Sequence, residues 1–307
     1  HNYMVSGLKH IHPLYPQNLQ QSHLNPNSIE DVLLDISDSS AFDSRKIEEI
    51  LKPKVLGIIP SRLGSTRLEN KPLYKVLGTP LIEHVYKRAI LSDSLDDLVV
   101  ATDHKSILDL VTAFGGKAVL TSDQHKNGTE RMSEVVSMYP DYDYYVLING
   151  DEILLNPKSI SVSIQTLVSN PDSCCSMLAV KFDRLESPSD FKAVFDNKMN
   201  LMYVSRSDIP SNSRNNPDYL LKAYHLMTFK KSTILEYSKL EKTYLEGIED
   251  HEHLRLLENQ YKISGCVVED DCISLDTIED LEIIEQKLKK DPVFLELVKG
   301  GSFANIR

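Results

Sequence analysis

The sequence lacks any long apolar run. No stretch of about 18 apolar residues occurs, and no basic segment followed by an apolar one opens the chain, so we expect neither a membrane span nor a secretory signal. Cysteine is also scarce: Cys174 and Cys175 are adjacent, and the others are Cys266 and Cys272. This spacing fits neither a metal site nor a dense disulfide framework, so we expect a reducing, cytoplasmic setting.

The chain also lacks an excess of positive charge. It carries 45 acidic residues against 34 basic ones, a formal net charge of -11. Proteins that hold a nucleic-acid backbone need clustered cations, so we exclude a nucleic-acid partner. An anionic substrate must therefore meet a local basic pocket.

Composition divides the 307 residues into three parts. Residues 1–52 are rich in Asn, Gln, Ser, His and Pro, and we interpret them as an N-terminal extension of unknown role with one or two short helices. Residues 53–292 form one large domain in this interpretation, and residues 293–307 form a C-terminal tail. A domain of this length buries a substantial core.

Strand and helix patterns alternate from residue 54 onward. Short apolar runs typical of buried parallel strands alternate with apolar residues at helical spacing. The predicted strands cover 55–59, 98–102, 118–120 and 144–148, and the predicted helices lie near 81–90, 107–114 and 130–138. This order predicts an α/β fold with a doubly wound, mostly parallel (Rossmann-like) sheet, whose ligands bind at the carboxyl ends of the strands.

The second half of the domain departs from this alternation. Consecutive strand patterns without helices between them cover 176–182, 192–195 and 201–204. We therefore expect a smaller mixed antiparallel lobe that caps the site. The remaining predicted elements are a helical stretch over 244–258, a strand near 263–268 and a final helix over 278–289.

The loop after the first strand, residues 59–73, combines one glycine with hydroxyls and cations. These residues are Arg62, Gly64, Ser65, Thr66, Arg67 and Lys71. A triphosphate needs backbone N–H groups that approach closely, which glycine permits, and cations that offset its charge. The loop has neither the Walker A spacing nor a dinucleotide fingerprint, so on composition alone an ordinary basic surface turn is the alternative.

Further motifs agree with a nucleotide-binding loop and together resemble one known family. The segments that carry the resemblance are Pro60-Ser61-Arg62-Leu63-Gly64-Ser65-Thr66-Arg67-Leu68, Lys71-Pro72-Leu73, Pro80-Leu81-Ile82-Glu83-His84, Val99-Val100-Ala101-Thr102-Asp103, Gly128-Thr129-Glu130-Arg131, Gly150-Asp151-Glu152, Tyr203-Val204-Ser205-Arg206 and Asp276-Thr277-Ile278-Glu279-Asp280. In this order they resemble the CMP-Kdo synthetases, the 3-deoxy-manno-octulosonate cytidylyltransferases, across residues 54–290.

The resemblance implies a fold, a reaction and a set of partners. The fold is a nucleotidyltransferase sheet of the predicted type. The reaction joins CMP from CTP to the anomeric hydroxyl of a 2-keto-3-deoxy sugar acid, Kdo or a Kdo-like acid, and releases pyrophosphate. The resemblance further implies Mg²⁺ as cofactor, a homodimer, a cytoplasmic location and a role in lipopolysaccharide biosynthesis.

The resemblance also assigns residues to the nucleotide and the metal. It places around CTP the residues Pro60, Ser61, Arg62, Gly64, Ser65, Arg67, Lys71, Gly128, Thr129 and Arg131. The catalytic residues become Lys71, Asp151 and Arg62, with Lys71 stabilising the departing pyrophosphate. The Mg²⁺ ligands become Asp151 and Asp276, since a hard cation takes oxygen ligands. Without the resemblance, Asp151 and Asp276 would each be interpreted as a helix cap or turn residue. Residues 127–130 would be interpreted as the start of a helix.

The sugar acid is assigned to a second group of residues: Arg206, Asn149, His225 and Glu249. Arg206 grips the carboxylate of the acid in this interpretation, because a guanidinium binds a carboxylate through two hydrogen bonds. The alternatives are a structural ion pair for Arg206 and a solvated acidic helix around Glu249. His251 and His253 stand two residues apart, which does not suit one helical face, so we expect them to be solvent-exposed helix residues.

Several positions depart from the family pattern near the sugar acid. The family's Gln before Gly-Asp-Glu is Asn149, Lys126 introduces a cation before Gly128, and the sugar-facing histidine is either absent or displaced to His225. In the first loop Glu69-Asn70 replaces a Pro-Gly pair, and Asn tolerates a positive φ. These departures predict an acceptor other than standard Kdo.

Two other functions belong to different classes. A sugar-1-phosphate nucleotidyltransferase uses a related fold, but the Pro-Ser-Arg opening of the loop disfavours it. A catalytically inactive, CTP-binding regulatory protein would explain the altered acceptor residues. The retained Arg62, Lys71, Asp151 and Asp276 disfavour that function.

Overall fold

The computed structural model describes residues 52–64, 68–215, 217–275 and 278–303. Its contacts divide the chain into residues 1–54 and residues 55–307. The short helices predicted for the extension lie outside the described residues. Among the described residues, no helix is long and apolar enough to cross a bilayer.

Within the described residues, nine strands form one sheet and two more form a small hairpin. The sheet order is β11-β7-β10-β6-β1-β4-β5; β8 pairs with β10, and β9 pairs with β8. The strands are β1 (Val55–Ser61), β2 (Lys75–Val76), β3 (Thr79–Pro80), β4 (Asp97–Thr102), β5 (Ala118–Leu120), β6 (Tyr144–Ile148), β7 (Cys175–Phe182), β8 (Lys192–Phe195), β9 (Leu201–Ser205), β10 (Leu220–Lys230) and β11 (Ile263–Val268).

The pairing of the strands confirms the predicted fold class. Parallel ladders join β1 to β4 and β6, β4 to β5, and β7 to β11. Antiparallel ladders join β10 to β6 and β7, and β8 to β9. Strands β1, β4 and β6 are buried along most of their length, which explains their continuous apolar sequences.

Helices cover both faces of the sheet. They are α1 (Leu81–Ala89), α2 (Lys105–Ala113), α3 (Gly128–Met138), α4 (Pro157–Val168), α5 (Lys231–Tyr237), α6 (Tyr244–Glu249), α7 (Leu254–Glu258), α8 (Ile278–Leu288) and α9 (Pro292–Lys299). The core on one face includes residues of α3, α5 and α7, and the core on the other includes residues of α1, α2 and α4. This two-sided packing is the doubly wound arrangement.

Three features differ from the expectation. The helical stretch expected over 244–258 is two helices, because Asp250 takes a left-handed φ of 52° and ends α6. The sequence prediction also missed α4, whose start is marked by Asn156 as N-cap and Pro157 in the first turn. In the region interpreted as a tail, α9 packs through Phe294 and Leu297 into a third core cluster.

A buried arginine connects α9 to the segment that follows β6. Arg88 in α1 is 2% exposed, and its Nε donates to the Leu155 carbonyl at 2.6 Å. Its guanidinium also pairs at 2.5 Å with Asp291, the N-cap of α9. Because Leu155 lies four residues beyond Asp151, this contact supports the backbone on which the predicted metal ligand stands.

We expect Asp291→Asn to destabilise the protein. The amide oxygen still caps α9, but the Arg88 charge stays buried without its counter-ion, so the free energy of unfolding falls by about 3 kcal/mol in urea denaturation. Glu296→Gln, at an exposed position of the same helix, is the control and changes the value by less than about 0.5 kcal/mol. Equal stability of the Asp291→Asn variant and the wild type would contradict this role for the pair.

Candidate active site

Two strand ends meet at one edge of the sheet. β1 pairs in parallel with β6, so the carboxyl ends of both strands lie side by side. A Cβ at Gly150 would lie 3.2 Å from the Pro60 carbonyl oxygen, which is tighter than ordinary van der Waals contact. Glycine permits this close approach because it has no side chain. The approach brings Asp151 next to the loop that follows β1.

The loop after β1 is open to solvent where the structure describes it. Arg62 and Gly64 are exposed, and a Cβ at Gly64 would have no neighbour within 4 Å. Asn70 has a φ of 52°, so the left-handed conformation expected at this departure from the family pattern is present. A short 3₁₀ turn, Lys71–Leu73, follows. The predicted nucleotide ligands Ser65 and Arg67 lie outside the described residues.

Lys71 and Asp151 form an ion pair across the two strand ends. Lys71 Nζ lies 2.6 Å from Asp151 Oδ2, and 13% and 28% of the two side chains are exposed. Burial by itself raises the pKa of Asp151, but the neighbouring Lys71 ammonium outweighs it, so the pKa lies below its usual value. A cation and an ionised carboxylate therefore face the same edge, where the sequence places a triphosphate and a metal.

Asp151 also fits a hard divalent cation. The Leu275 amide lies 3.4 Å from the Asp151 carbonyl oxygen. Leu275 immediately precedes Asp276, so the backbone just before Asp276 contacts Asp151. Asp276 itself lies outside the described residues. Among the residues that are described, no three or more His, Cys, Asp or Glu side chains group to hold a metal. A site with few protein ligands is compatible with Mg²⁺, which commonly keeps phosphate oxygens and water among its ligands.

The amino end of α3 faces the same edge. A Cβ at Gly128 would lie 3.4 Å from the ring of Pro60. The Glu252 carboxylate accepts hydrogen bonds from the amides of Gly128 and Thr129, both at 3.1 Å, and from the Thr129 hydroxyl at 2.6 Å. Burial raises the pKa of Glu252 above its usual value. Glu252 thus occupies the backbone donors that the family resemblance directs to the nucleotide.

Arg131 forms part of the wall behind these donors. It is 3% exposed and pairs with Asp103 at 2.7 Å. It also donates to the Thr121 hydroxyl at 2.5 Å and to the Ser122 carbonyl at 3.2 Å. Its charge is therefore neutralised inside the protein, and its role in this conformation is to hold the strand ends that border the nucleotide side.

Arg206 and Glu249 lie together at the end of β9. The Arg206 backbone amide donates to Glu249 Oε2 at 2.9 Å, and the hydroxyls of Tyr203 and Ser205 donate to Glu249 Oε1 at 3.1 and 2.7 Å. Burial raises the pKa of Glu249, but these hydrogen bonds outweigh it and the pKa is lowered. The guanidinium of Arg206 lies 4.2 Å above the Phe191 ring.

His225 projects from β10 beside the end of β6. Leu226 pairs with Ile148, which places His225 beside Asn149, and β10 shifts register against β7 between Tyr224 and Met227. Such irregularities often redirect a side chain near a functional site. His225 Nε2 lies 3.0 Å from His251 Nε2. Burial, with Lys222 nearby, lowers the pKa of His225 to about 4, so its ring is neutral near pH 7.

His251 and His253 are buried, which corrects the expectation of solvent exposure. They are 3% and 2% exposed, because the left-handed Asp250 interrupts the helix and turns the following residues inward. Their rings lie 5.2 and 6.5 Å from the His225 ring. Burial lowers the pKa of His251 well below its usual value and that of His253 to about 3. Three neutral imidazoles therefore form one cluster.

Lys126, the cation that departs from the family pattern, lies beside this cluster. It lines a polar cavity of about 450 Å³ together with Asn127, Asp250, His251 and Glu252, among other residues. The cavity adjoins the amino end of α3. It does not include Lys71 or Asp151.

Several known proteins are similar to this chain over most of its length. Residues 56–263 match the family described as Cytidylyltransferase. The chain is 38% identical over 251 residues to a 3-deoxy-manno-octulosonate cytidylyltransferase of Protochlamydia amoebophila, covering 79% of this chain and 97% of that protein. It is 36% identical over 241 residues to an 8-amino-3,8-dideoxy-manno-octulosonate cytidylyltransferase of Shewanella sediminis, covering 76% and 98%.

A solved structure is also similar to this chain. It is a CMP:2-keto-3-deoxy-manno-octonic acid synthetase complexed with CTP, with a TM-score of 0.73 and 30% sequence identity. The match covers 77% of this chain and 99% of that one.

Proposed function

This chain belongs to the cytidylyltransferase family, and we propose that it joins CMP from CTP to the anomeric hydroxyl of a 2-keto-3-deoxy sugar acid, Kdo or a Kdo-like acid, and releases pyrophosphate. The observation that carries the proposal is the ion pair of Lys71 and Asp151 at 2.6 Å. It joins the first loop of the family to the Gly-Asp-Glu motif at the ligand edge of the sheet.

In this reaction the hydroxyl oxygen of the acid attacks the α-phosphorus of CTP. The new O–P bond forms as the bond to the β-phosphate oxygen breaks, the electron pair leaves with pyrophosphate, and the hydroxyl proton passes to solvent. Lys71 stabilises the charge that develops on the pyrophosphate, because an ammonium at this position acts more strongly on the transition state than on bound CTP. Arg62, exposed just beyond the end of β1, would supply a second cation to the triphosphate.

Mg²⁺ would be held by Asp151 and Asp276 together with phosphate oxygens. When bound, it would neutralise charge on the triphosphate and fix its orientation. The accessible, ionised carboxylate of Asp151 supports this proposal, as does the approach of the chain to Asp151 at Leu275.

The carboxylate of the sugar acid would bind at Arg206. Three of the five N–H groups of a guanidinium have partners here: the Glu249 and Pro188 carbonyls, both at 2.9 Å, and the Asp250 carboxylate at 3.3 Å. The other two have no partner among the described residues, and two N–H groups match a carboxylate. Asn149, Glu249 and His225 are the other residues that we propose contact the acid. By family resemblance we also propose a cytoplasmic homodimer that serves lipopolysaccharide biosynthesis.

The proposal predicts that pyrophosphate release requires CTP, Mg²⁺ and the acid together. Pyrophosphate release is measured with CTP or UTP, with and without EDTA, and with Kdo or 8-amino-3,8-dideoxy-manno-octulosonate as acceptor. Turnover of CTP with at least one acid supports the proposal. CTP binding without turnover of either acid would favour the regulatory alternative. Formation of a nucleoside triphosphate and a sugar 1-phosphate from an NDP-sugar and pyrophosphate would favour the sugar-1-phosphate nucleotidyltransferase.

A further inference from the structure

We propose that the segment Asp250–His253, between α6 and α7, positions both halves of the active site: Glu252 fixes the nucleotide side and His251 fixes the acceptor side. The proposal rests on the proposed function, since it assigns the two sides to CTP and the sugar acid. It concerns residues that act through their neighbours, and it makes the segment a link between the two substrates.

The segment has a defined conformation of its own. Asp250 has a φ of 52°, and its carboxylate lies 3.3 Å from the Arg206 guanidinium. The next three side chains are largely or wholly withdrawn from solvent, although two are histidines and one is a glutamate. Burying a polar or ionisable side chain costs free energy unless it makes specific contacts, and this segment buries three. Its contacts therefore indicate what the segment holds in place.

On the nucleotide side, Glu252 holds the first turn of α3. Its carboxylate accepts three hydrogen bonds from Gly128 and Thr129, which are the first two residues of the helix. A second connection runs through Tyr237, whose hydroxyl donates to the Glu252 carbonyl at 3.3 Å and accepts from Asn127 at 3.2 Å. The negative charge also suits the helix amino terminus. Glu252 therefore sets the position of α3 relative to Pro60.

On the acceptor side, His251 holds the ring of His225. The two Nε2 atoms lie 3.0 Å apart, and both rings pack edge-on against Phe191, with centroids 4.5 Å from His251 and 5.5 Å from His225. His225 Nε2 is thereby engaged, and its Nδ1 has no partner among the described residues. A held imidazole with one unengaged nitrogen presents a single hydrogen-bonding atom. We therefore assign Nδ1 to a hydroxyl or amino group of the sugar acid.

These two contacts come from adjacent residues of one short segment. A shift of the segment that weakens the contact of Glu252 with α3 also moves His251, and the reverse holds. Binding of either substrate then alters the affinity for the other, and such coupling is reciprocal.

The test compares His251→Leu with His251→Gln. Leucine removes the contact with His225, whereas glutamine places a polar atom near the position of the imidazole Nε2. We expect His251→Leu to raise the acceptor KM about tenfold, as the loss of one hydrogen bond does. The CTP Kd, measured without the acid, stays within about twofold, because leucine removes a side-chain contact and does not displace the segment. His251→Gln restores most of the acceptor KM. Measuring both Kdo and its 8-amino analogue distinguishes a hydroxyl from an amino partner.

Glu252→Gln tests the other side of the segment. The new NH₂ group faces the donors of α3, so we expect the CTP Kd to rise about tenfold and the acceptor KM to rise with it. Tighter CTP binding would mean that Glu252 competes with the nucleotide for these donors, which would overturn the proposal. An unchanged acceptor KM in His251→Leu would also overturn it. So would a rise in the CTP Kd of that variant as large as the rise in its acceptor KM.

Two controls address a variant that does not fold and a wild type that is inactive. If His251→Leu does not fold, His251→Asn replaces it, because asparagine is polar but has no atom at the Nε2 position. The wild type is measured first: if it does not release pyrophosphate with any acid, the proposed function fails. If the wild type is active and the histidine variants match it, only the positioning role fails.

Discussion

Replacing Lys71 by methionine is expected to lower kcat for pyrophosphate release by about 10²- to 10³-fold, the usual effect of removing one group that stabilises transition-state charge. Methionine keeps much of the length and apolar volume of lysine. The charge that pyrophosphate acquires as it leaves then loses its nearest cation. We expect the loss mainly in kcat, since the interaction strengthens as the bond breaks.

Lys75→Met is the matched control for this variant. Lys75 lies four residues further along, is exposed and belongs to the hairpin strand β2. Its replacement should leave kcat within about twofold, because a solvated charge is largely screened. A Lys71→Met enzyme with wild-type kcat would show that the ion pair with Asp151 has only a structural role.

Asp151→Asn is expected to lower kcat by about 10³-fold, since a bound metal contributes several kcal/mol of charge stabilisation. The amide keeps the shape of the side chain but is a poor ligand for a hard cation. The midpoint of the Mg²⁺ dependence should therefore move to higher concentration. A titration of pyrophosphate release against Mg²⁺ measures both effects.

Asp93→Asn, at an exposed position, controls for the loss of one surface charge. It should reproduce both the wild-type kcat and the wild-type Mg²⁺ midpoint. An Asp151→Asn enzyme whose kcat falls while its Mg²⁺ midpoint is unchanged would argue that Asp151 serves only to orient Lys71.

Much of the sheet was predictable from sequence because its central parallel strands, β1, β4 and β6, are buried along most of their length. Burial requires continuous apolar runs, and the runs at 55–59 and 144–148 mark β1 and β6 directly. The break at Asp250 was not predictable. The residues on either side have helical character, and it is the conformation of a single residue that divides them.

The proximity of Lys71 and Asp151 was predictable from the order of the strands. Lys71 lies in the loop that follows β1 and Asp151 comes soon after β6, and parallel pairing brings the carboxyl ends of these two strands together. The burial of His251 and His253 depends on contacts with β10, which is far away in the sequence. Their spacing alone indicated an exposed helix, so the prediction was wrong. The role of Glu252 was missed for the same reason: its partners are more than 120 residues away.

The central claim is that this chain forms a bond between the α-phosphorus of CTP and the anomeric oxygen of a 2-keto-3-deoxy sugar acid. The most direct measurement is an NMR spectrum of the products when the acid carries ¹³C at C2. The proposed function predicts that the C2 signal shifts and splits through coupling to ³¹P, with one pyrophosphate released per product. Pyrophosphate release with an unshifted, unsplit C2 signal would contradict it, because CTP would then have been hydrolysed without transfer.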